Sequence, residues 1–188
     1  MKDILKGELV GLSALDADEL SKAFARWGRD SEFKRLLDSN AIHLTSQKVS
    51  QKWLEKEIEE QKNNQHWFSI RTLDGDKLLG DIDLFVVNWA SRDAFVGLGI
   101  GERDFWGKGY GTDVMRVILR YAFTEVNLHR VTLTVFEYNP RAIRSYEKAG
   151  FRHEGRLRGL LNREGKRWDE LFMGILHEEW MEQNGNKN

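Results

Sequence analysis

The chain has 188 residues, no cysteine and a formal net charge of -1, with 40% hydrophobic and 31% charged residues. This length and composition are typical of one folded, soluble domain, and no apolar run is long enough to span a membrane. The lack of cysteine excludes disulfides, thiolate metal sites and a cysteine nucleophile and is typical of a cytoplasmic protein, while the near-neutral charge argues against a dedicated nucleic-acid-binding protein.

The first third of the chain is predicted to be helical after one short strand at residues 8–12. Asp16 precedes an amphipathic run that predicts a first helix, and a short second helix follows. Ser46 or Ser50 is placed to cap a third helix. The apolar residues that define these three helices are Leu20, Phe24, Trp27, Leu36, Leu37, Trp53, Leu54 and Ile58.

The middle of the chain changes to a period of two, which predicts strands. Residues 67–70, 77–87 and 94–101 are the three candidate strands, and Asp74-Gly75 between the first two is a strong hairpin signal. The three strands are therefore predicted to form an antiparallel meander.

The last part alternates between strands and helices. A glycine-rich segment, residues 106–112, leads into a helix that reaches Ala122, and a β-branched strand covers residues 131–136. Asn139, Pro140 and Gly150 then predict one helix, because they are typical of a cap, a first turn and a residue just past the end. Two final strands are predicted at residues 151–157 and 168–176. The sequence thus predicts a mixed α/β (α+β) fold.

Gly107, Gly109 and Gly111 lie between a strand and a helix. Glycine allows a positive φ and a close approach of the backbone to a ligand, and a helix start presents free N–H groups. Such a junction favours an anion such as a phosphate or pyrophosphate, and Lys108 and Arg103 add positive charge. The pattern of a Walker loop is absent. A dinucleotide fingerprint would need glycine in place of Thr112, although Glu137 lies about where a ribose-binding carboxylate falls, so nicotinamide binding stays an alternative.

Two segments together resemble the GNAT (Gcn5-related N-acetyltransferase) family. They are the glycine-rich residues 107–112 and the run from Asn139 to Phe151, and the match is most similar to the ribosomal-protein N-terminal acetyltransferases and their small-amine relatives. The resemblance implies a twisted, mainly antiparallel sheet of about seven strands with a V-shaped splay, flanked by helices. It also implies a single acetyltransferase domain over residues 1–188, with an acceptor-binding part at 1–65 and an acetyl-coenzyme A-binding core at 66–180.

The resemblance further implies roles for individual residues. Asn139 would bind the pantetheine arm, and Tyr146 would lie beside the sulfur as the catalytic acid. The strand before the glycine-rich loop would pair with the same arm. The residues expected to bind acetyl-CoA are Gly99, Ile100, Gly101, Trp106, Gly107, Lys108, Gly109, Tyr110, Gly111, Thr112 and Asn139. Trp106 departs from the family pattern, which has Gln or Arg there.

The general base is open at this stage. Some protein N-terminal acetyltransferases carry a glutamate at the position of Thr134, and this chain lacks it. Asp83, Glu102, Glu137 or a water chain are the substitutes. Direct attack by an amine in a ternary complex is expected, since an acetyl-cysteine intermediate is impossible without cysteine.

The acceptor is expected to be a primary amine, either a protein N-terminus or a small molecule such as a polyamine or antibiotic. A non-catalytic acyl-coenzyme A-binding protein is a further alternative. We expect a monomer or homodimer, with no metal, no membrane and no direct nucleic-acid partner. Residues 141–167 carry nine Lys or Arg against three Asp or Glu, enough to attract the coenzyme phosphates or an acidic macromolecule. Tryptophans considered for the acceptor groove are Trp27, Trp53, Trp67 and Trp89.

Overall fold

Seven strands form one sheet in the computed structural model, which describes residues 3–60 and 62–185. The strands are β1 (Val10–Ser13), β2 (Gln65–Thr72), β3 (Leu78–Asn88), β4 (Asp93–Ile100), β5 (Arg130–Phe136), β6 (Arg152–Arg163) and β7 (Lys166–Leu176). Their order across the sheet is β1-β2-β3-β4-β5-β7-β6. The pair β4–β5 is parallel and the other neighbours are antiparallel, which confirms the predicted mixed, mainly antiparallel sheet.

Helices cover both faces of this sheet. Within the described residues they are α1 (Ala17–Trp27), α2 (Ser31–Leu37), α3 (Gln47–Glu60), α4 (Tyr110–Thr124), α5 (Pro140–Ala149) and α6 (His177–Asn184). The carboxylate of Asp16 accepts a hydrogen bond from the Glu19 N–H, so the predicted cap of the first helix is confirmed. Ser46 rather than Ser50 caps α3, because its hydroxyl accepts from the Val49 N–H at 3.4 Å.

Two apolar cores hold the helices to the sheet. The larger core joins α4 to one face, where Met115, Ile118 and Leu119 pack against β3 residues such as Ile82 and Leu84. The smaller core joins α1, α2 and α3 to the other face. Its members are Leu20, Ala23, Trp27, Phe33, Leu54 and Leu78. Each large side chain buried in this way contributes about 1.5–3 kcal/mol, so the first three helices are fixed on the sheet near the start of α4.

Two features of the fold were not predicted from the sequence: helix α6 and the full length of β6. β6 was expected to end at Leu157, but it continues to Arg163 and forms a tight hairpin with β7. The pairing shifts register twice along β6 and most of its side chains are exposed, so the strand lacks the alternation that marks a half-buried strand. The polar end expected at residues 184–188 lies mostly outside the described residues, with Asn184 closing α6.

Candidate active site

The sheet opens between β4 and β5. These strands pair at only three positions, from Asp93 with Arg130 to Phe95 with Thr132. Beyond Phe95 each strand continues without the other as its partner. The expected V-shaped splay is therefore present, and it lies at the carboxyl ends of the two parallel strands.

The backbone of β4 presents polar groups to this gap. The Gly101 N–H donates to the Leu79 carbonyl on β3 at 2.9 Å. Because backbone groups alternate in direction along a strand, those of Leu98 and Ile100 point the other way, into the gap. The Trp106 indole N–H donates to the Ile100 carbonyl at 2.7 Å. The remaining groups need partners, which an extended ligand rich in amides would supply.

A cavity of about 480 Å³ occupies the gap. It is lined by the ends of β4 and β5, the glycine-rich loop, α5 and part of α2. Nine residues predicted for the site line it, and they come from three separate segments of the chain. They are Gly99, Ile100, Trp106, Gly107, Gly109, Gly111, Thr112, Asn139 and Tyr146.

Three residues predicted to bind the coenzyme do not line this cavity. A Cβ on Gly101 would collide with the Trp27 ring, so glycine there allows α1 to pack closely. Lys108 is exposed at the tip of the loop. The Tyr110 ring packs edge-to-face on Phe105 with 5.0 Å between ring centroids. For these residues the structure shows packing or solvent contact rather than contact with the gap.

The glycine-rich loop forms the amino-terminal cap of α4. Gly107 and Gly109 have φ angles of 73° and 92°, a region that residues with a Cβ adopt only with strain. Gly109 is the cap residue, so the first N–H groups of α4 face outward beside it. On Gly111 a Cβ would approach the Ser145 hydroxyl to 3.2 Å, which places α5 tightly against the loop. The loop therefore has the geometry of a phosphate site.

Trp106 joins the loop to two neighbouring elements. Besides its bond to the Ile100 carbonyl, its ring lies under the Arg141 guanidinium, 3.7 Å from the ring centroid. Arg103 approaches the same ring at 5.0 Å, and it also makes an ion pair with Glu32 of α2 at 2.7 Å. Trp106 thus acts on the site through the backbone of β4 and a stacked arginine, whereas a Gln or Arg would offer a polar side chain.

Helix α5 presents its two predicted residues to the cavity. The Asn139 carboxamide accepts a hydrogen bond from the Ala142 N–H at 3.2 Å, so Asn139 is a helix cap and a cavity wall at once. The Tyr146 ring is buried, and this burial raises the pKa of its hydroxyl to about 12, although Arg141 acts in the opposite direction. Tyr146 therefore carries its proton at neutral pH, as a general acid must.

Glu102 connects α1 to the end of β4 through hydrogen bonds and ion pairs. Burial favours the neutral form of its carboxyl group, but hydrogen bonds from Trp27, Arg26 and Lys77 outweigh that effect and hold its pKa below the usual range. The Trp27 indole bond is 2.8 Å long. A carboxylate held in this way is a weak proton acceptor, and Glu102 does not line the cavity.

Glu137 also lies away from the cavity. It accepts hydrogen bonds from the Asp169 N–H at 3.0 Å and from Arg156 at 3.3 Å. Thr134, where a glutamate base was sought, lines the gap as a threonine. Asp83 is the candidate base that lines the cavity, and burial raises its pKa above the usual range.

Several side chains at the site were missed by the sequence interpretation. Asp81 lies in the alternating run with Ile82 and Leu84, which was used only to predict a strand, whereas Asp83 was named as a candidate base. Burial raises the pKa of Asp81 to about 6, and its carboxylate accepts from the Trp67 indole N–H at 2.9 Å. The contact between Arg141 and Trp106 joins residues 35 positions apart and had no local signal. Further residues that line the cavity are Phe33, Leu36, Leu37, Phe85 and Phe95.

The basic stretch 141–167 divides between two uses. Arg141, Arg144 and Lys148 line the cavity from α5. Others pair with acids from distant elements, as Arg152 does with Glu179 of α6 at 2.6 Å. Among the described residues no group of three or more His, Cys, Asp or Glu is arranged to hold a metal ion. Likewise, none of the described helices combines the length and apolarity needed to cross a membrane.

The fold and cavity define a class before any comparison: an α/β protein whose mainly antiparallel sheet opens into a cavity between its two parallel strands. The chain belongs to the GNAT acetyltransferases, since residues 9–152 match the acetyltransferase (GNAT) domain family. It is 29% identical to the probable N-acetyltransferase YjcK of Bacillus subtilis, over 93% of this chain and 97% of that protein. It is also 33% identical to the spermidine N(1)-acetyltransferase of Vibrio cholerae, over 55% of this chain and 60% of that protein.

Solved structures agree with the fold. The spermidine N-acetyltransferase of Vibrio cholerae in complex with CoA and spermine superimposes with a TM-score of 0.79 at 24% identity, covering 92% of this chain and 98% of that one. A GNAT-family acetyltransferase from Bacillus anthracis gives a TM-score of 0.75 at 21% identity, covering 93% and 98%. At these identities the likeness concerns the fold alone.

Proposed function

We propose that this chain transfers the acetyl group of acetyl-coenzyme A to the primary amine of a small molecule, in a ternary complex. The observation that carries the proposal is the cavity in the β4–β5 gap, because it brings the glycine-rich loop, Asn139 and Tyr146 to one place. Membership of the GNAT acetyltransferases supports the reaction type. The relative named for spermidine acetylation supports a small amine over a protein N-terminus.

The residues of the gap fit acetyl-coenzyme A. Unpaired backbone groups of β4 suit the amides of its pantetheine arm. The start of α4, with Gly107 and Gly109 at positive φ, suits its pyrophosphate, and Arg144 and Lys148 add positive charge in the same cavity. When bound, the coenzyme supplies an acetyl thioester, which an amine can attack directly.

Three tasks are then assigned to this chain's own groups. The N–H of Ile100, which faces the gap, is placed to stabilise negative charge on the acetyl oxygen. Tyr146 holds a proton that it can give to the departing sulfur. Asp83 is the lining carboxylate that can take a proton from the incoming ammonium group. We propose that α1, α2 and α3 form the acceptor side, because they cover the face of β3 that carries Asp83.

Two measurements test this proposal. Acetyl-CoA should raise the melting temperature of the protein, and NADH should not; the reverse result would favour the nicotinamide alternative. Thiol release should then be followed with acetyl-CoA and three acceptor classes: small monoamines, spermidine and peptides with a free N-terminus. Turnover restricted to the peptides would contradict the small-molecule proposal. Tight coenzyme binding without turnover of any amine would favour the non-catalytic alternative.

A further inference from the structure

The acceptor side of the cavity is formed by one face of the β3–β4 hairpin. Asp83 and Phe85 of β3 stand opposite Gly97 and Phe95 of β4 in the strand register. Side chains two residues apart lie on the same face of a strand, so these positions share one face. The intervening Leu84 is fully buried in the core on the opposite face, beneath α4. Asp83, Phe85 and Phe95 all line the cavity.

Glycine leaves space in front of Asp83. Its direct neighbour across the hairpin is Gly97, where a Cβ would meet no described atom within 4 Å. Gly99, the next residue on this face, is covered by Leu37 of α2, whose Cδ1 would lie 3.5 Å from a Cβ. The Asp83 side chain therefore borders free space in the cavity, and α2 covers this space on one side.

One oxygen of Asp83 has an unmet capacity for hydrogen bonding. Its Oδ1 atom is shielded from solvent and has no hydrogen-bond partner within the described residues. A buried acceptor without a partner costs free energy, and its surroundings disfavour the charged form of the carboxyl group. Burial also raises the pKa of Asp83, so this carboxylate is a better proton acceptor than an ordinary exposed one.

An apolar surface adjoins this carboxyl group. Phe85 and Phe95 are 40% and 39% exposed, and Leu37 on α2 is 46% exposed. All three line the cavity, and Phe85 and Phe95 are direct partners in the register. Exposed aromatic side chains grouped at a cavity mouth are typical of a ligand-binding surface.

The charges around the cavity favour a ligand with one positive charge. Asp83 is the single acid among the described residues that line the cavity, whereas Arg141, Arg144 and Lys148 are cations. Four acids near the α2 side are already paired with arginines. These pairs are Glu32 with Arg103, Asp30 with Arg103, Glu164 with Arg35 and Glu137 with Arg156. A second or third ammonium group on a long polyamine would find no matching carboxylate in the cavity wall.

We propose, on the basis of the proposed acetyltransferase function, that the acceptor is a monoamine with an apolar or aromatic body. Asp83 receives its ammonium group, and Phe85 and Phe95 contact its body. Asp83 takes one proton from the ammonium and passes it to solvent. The amine nitrogen then bonds to the acetyl carbon as the carbon–sulfur bond breaks, and the nitrogen loses its second proton to solvent. Tyr146 protonates the sulfur and regains a proton from solvent, so one proton is released per turnover.

The test compares three acceptors at saturating acetyl-CoA: 2-phenylethylamine, ethanolamine and spermidine. The expected kcat/KM is about tenfold higher for 2-phenylethylamine than for ethanolamine, because the phenyl ring is removed from water, and spermidine is the poorest of the three. A preference for spermidine, or equal values for the two monoamines, would overturn the inference. Turnover of spermidine would still leave the proposed acetyl transfer standing, whereas failure of all amines would remove both.

Paired variants assign the roles. Phe85→Ala and Phe95→Ala should each lower the ratio of phenylethylamine to ethanolamine activity about fivefold. Val87→Ala, at an exposed position further along β3 and outside the cavity, should leave that ratio unchanged. Asp83→Asn should lower kcat/KM for both monoamines about 100-fold while acetyl-CoA still raises the melting temperature. The matched Asp74→Asn variant, in the exposed β2–β3 turn, should leave kcat/KM for both monoamines unchanged. If Val87→Ala changed the activity ratio as much as the phenylalanine variants do, the phenylalanines would not contact the acceptor. If Asp74→Asn lowered kcat/KM as much as Asp83→Asn, Asp83 would not receive the ammonium group.

Discussion

The two ends of the cavity are built in different ways. The end proposed for the coenzyme is made largely of backbone: the unpaired edge of β4 and the glycine cap of α4. The end proposed for the acceptor is made of side chains from separate elements, with Asp83 and Phe85 on β3, Phe95 on β4 and Leu37 on α2. Backbone geometry tolerates changes of side chain, whereas a wall of side chains changes with each substitution. Coenzyme binding should therefore depend on a few glycines, and acceptor choice on a few bulky residues.

The largest expected effect lies where the two ends meet, at Tyr146. Tyr146→Phe should lower kcat about 100-fold, because it removes the proton for the departing sulfur. The KM values for acetyl-CoA and for the amine should change little, since the ring remains. Because the pKa of Tyr146 is about 12, loss of its proton should not limit wild-type activity between pH 6 and 10. If Tyr146→Phe kept the wild-type kcat across that pH range, the acid role would be contradicted.

The second prediction tests the backbone-built end. Gly109→Ala places a Cβ at a φ of 92°, which costs about 1–2 kcal/mol. The loop should relax to escape this strain, and acetyl-CoA affinity measured by calorimetry should fall about tenfold. Gly75→Ala is the matched control, because Gly75 has a φ of 78° in the β2–β3 turn with open space around it. It should lose stability but keep coenzyme affinity, and an equal loss of affinity in both variants would break the comparison.

A smaller effect on coenzyme binding is expected at Trp106, whose side chain bonds to the backbone of β4. Trp106→Phe removes the bond to the Ile100 carbonyl but keeps a ring under Arg141. A hydrogen bond of this kind contributes about 1 kcal/mol, so the KM for acetyl-CoA should rise about fivefold with little change in kcat. Trp89→Phe, at a half-exposed turn residue, serves as the control. A larger change in the KM for the amine would instead assign Trp106 to the acceptor end.

The last prediction concerns stability, and not activity, at the end proposed for the acceptor. The pKa of Asp81 is about 6 in the folded protein against 3.8 in the unfolded chain, so the folded state binds more protons between these values. The free energy of unfolding should therefore fall as pH rises from 4 to 6 and then level off. Asp81→Asn keeps an acceptor for the Trp67 indole and should raise stability at pH 7.5 by about 2 kcal/mol.

Urea unfolding between pH 4 and pH 8 measures this change, with Asp74→Asn as the exposed control. The same slope of stability against pH in Asp81→Asn and in the unsubstituted protein would show that Asp81 does not carry the penalty. A smaller slope in the variant would assign the penalty to Asp81, with the remainder expected from the raised pKa of Asp83.

Sequence reasoning succeeded where the signals were local. Asn139, Pro140 and Gly150 predicted the bounds of α5, and Gly150 has the expected left-handed φ of 106°. Alternating glycines predicted the cap of α4. The same reasoning did not reveal a second role of Gly101, which was expected to contact the coenzyme and also makes room for the Trp27 ring. A glycine that allows close packing and a glycine that allows ligand approach look identical in a sequence.

Local signals could not rank the candidate bases either. Asp83, Glu102 and Glu137 are all acids beside predicted strands. Their different roles arise from partners far along the chain, such as Trp27 on Glu102 and Arg156 on Glu137. Whether an acid is paired or left open to a cavity depends on which elements meet in the fold.

The sequence by itself determined most of the elements, the glycine-capped start of α4 and the absence of a cysteine acyl-enzyme, because caps, turns and residue types act within a few positions. Only the tertiary structure decided where the sheet opens, which residues line the gap and which carboxylate faces it. Those features depend on the β4–β5 pairing, which ends after three positions, and on α2 packing over β4. They join segments up to about 100 residues apart, and contacts over such separations leave no periodic trace in a single sequence.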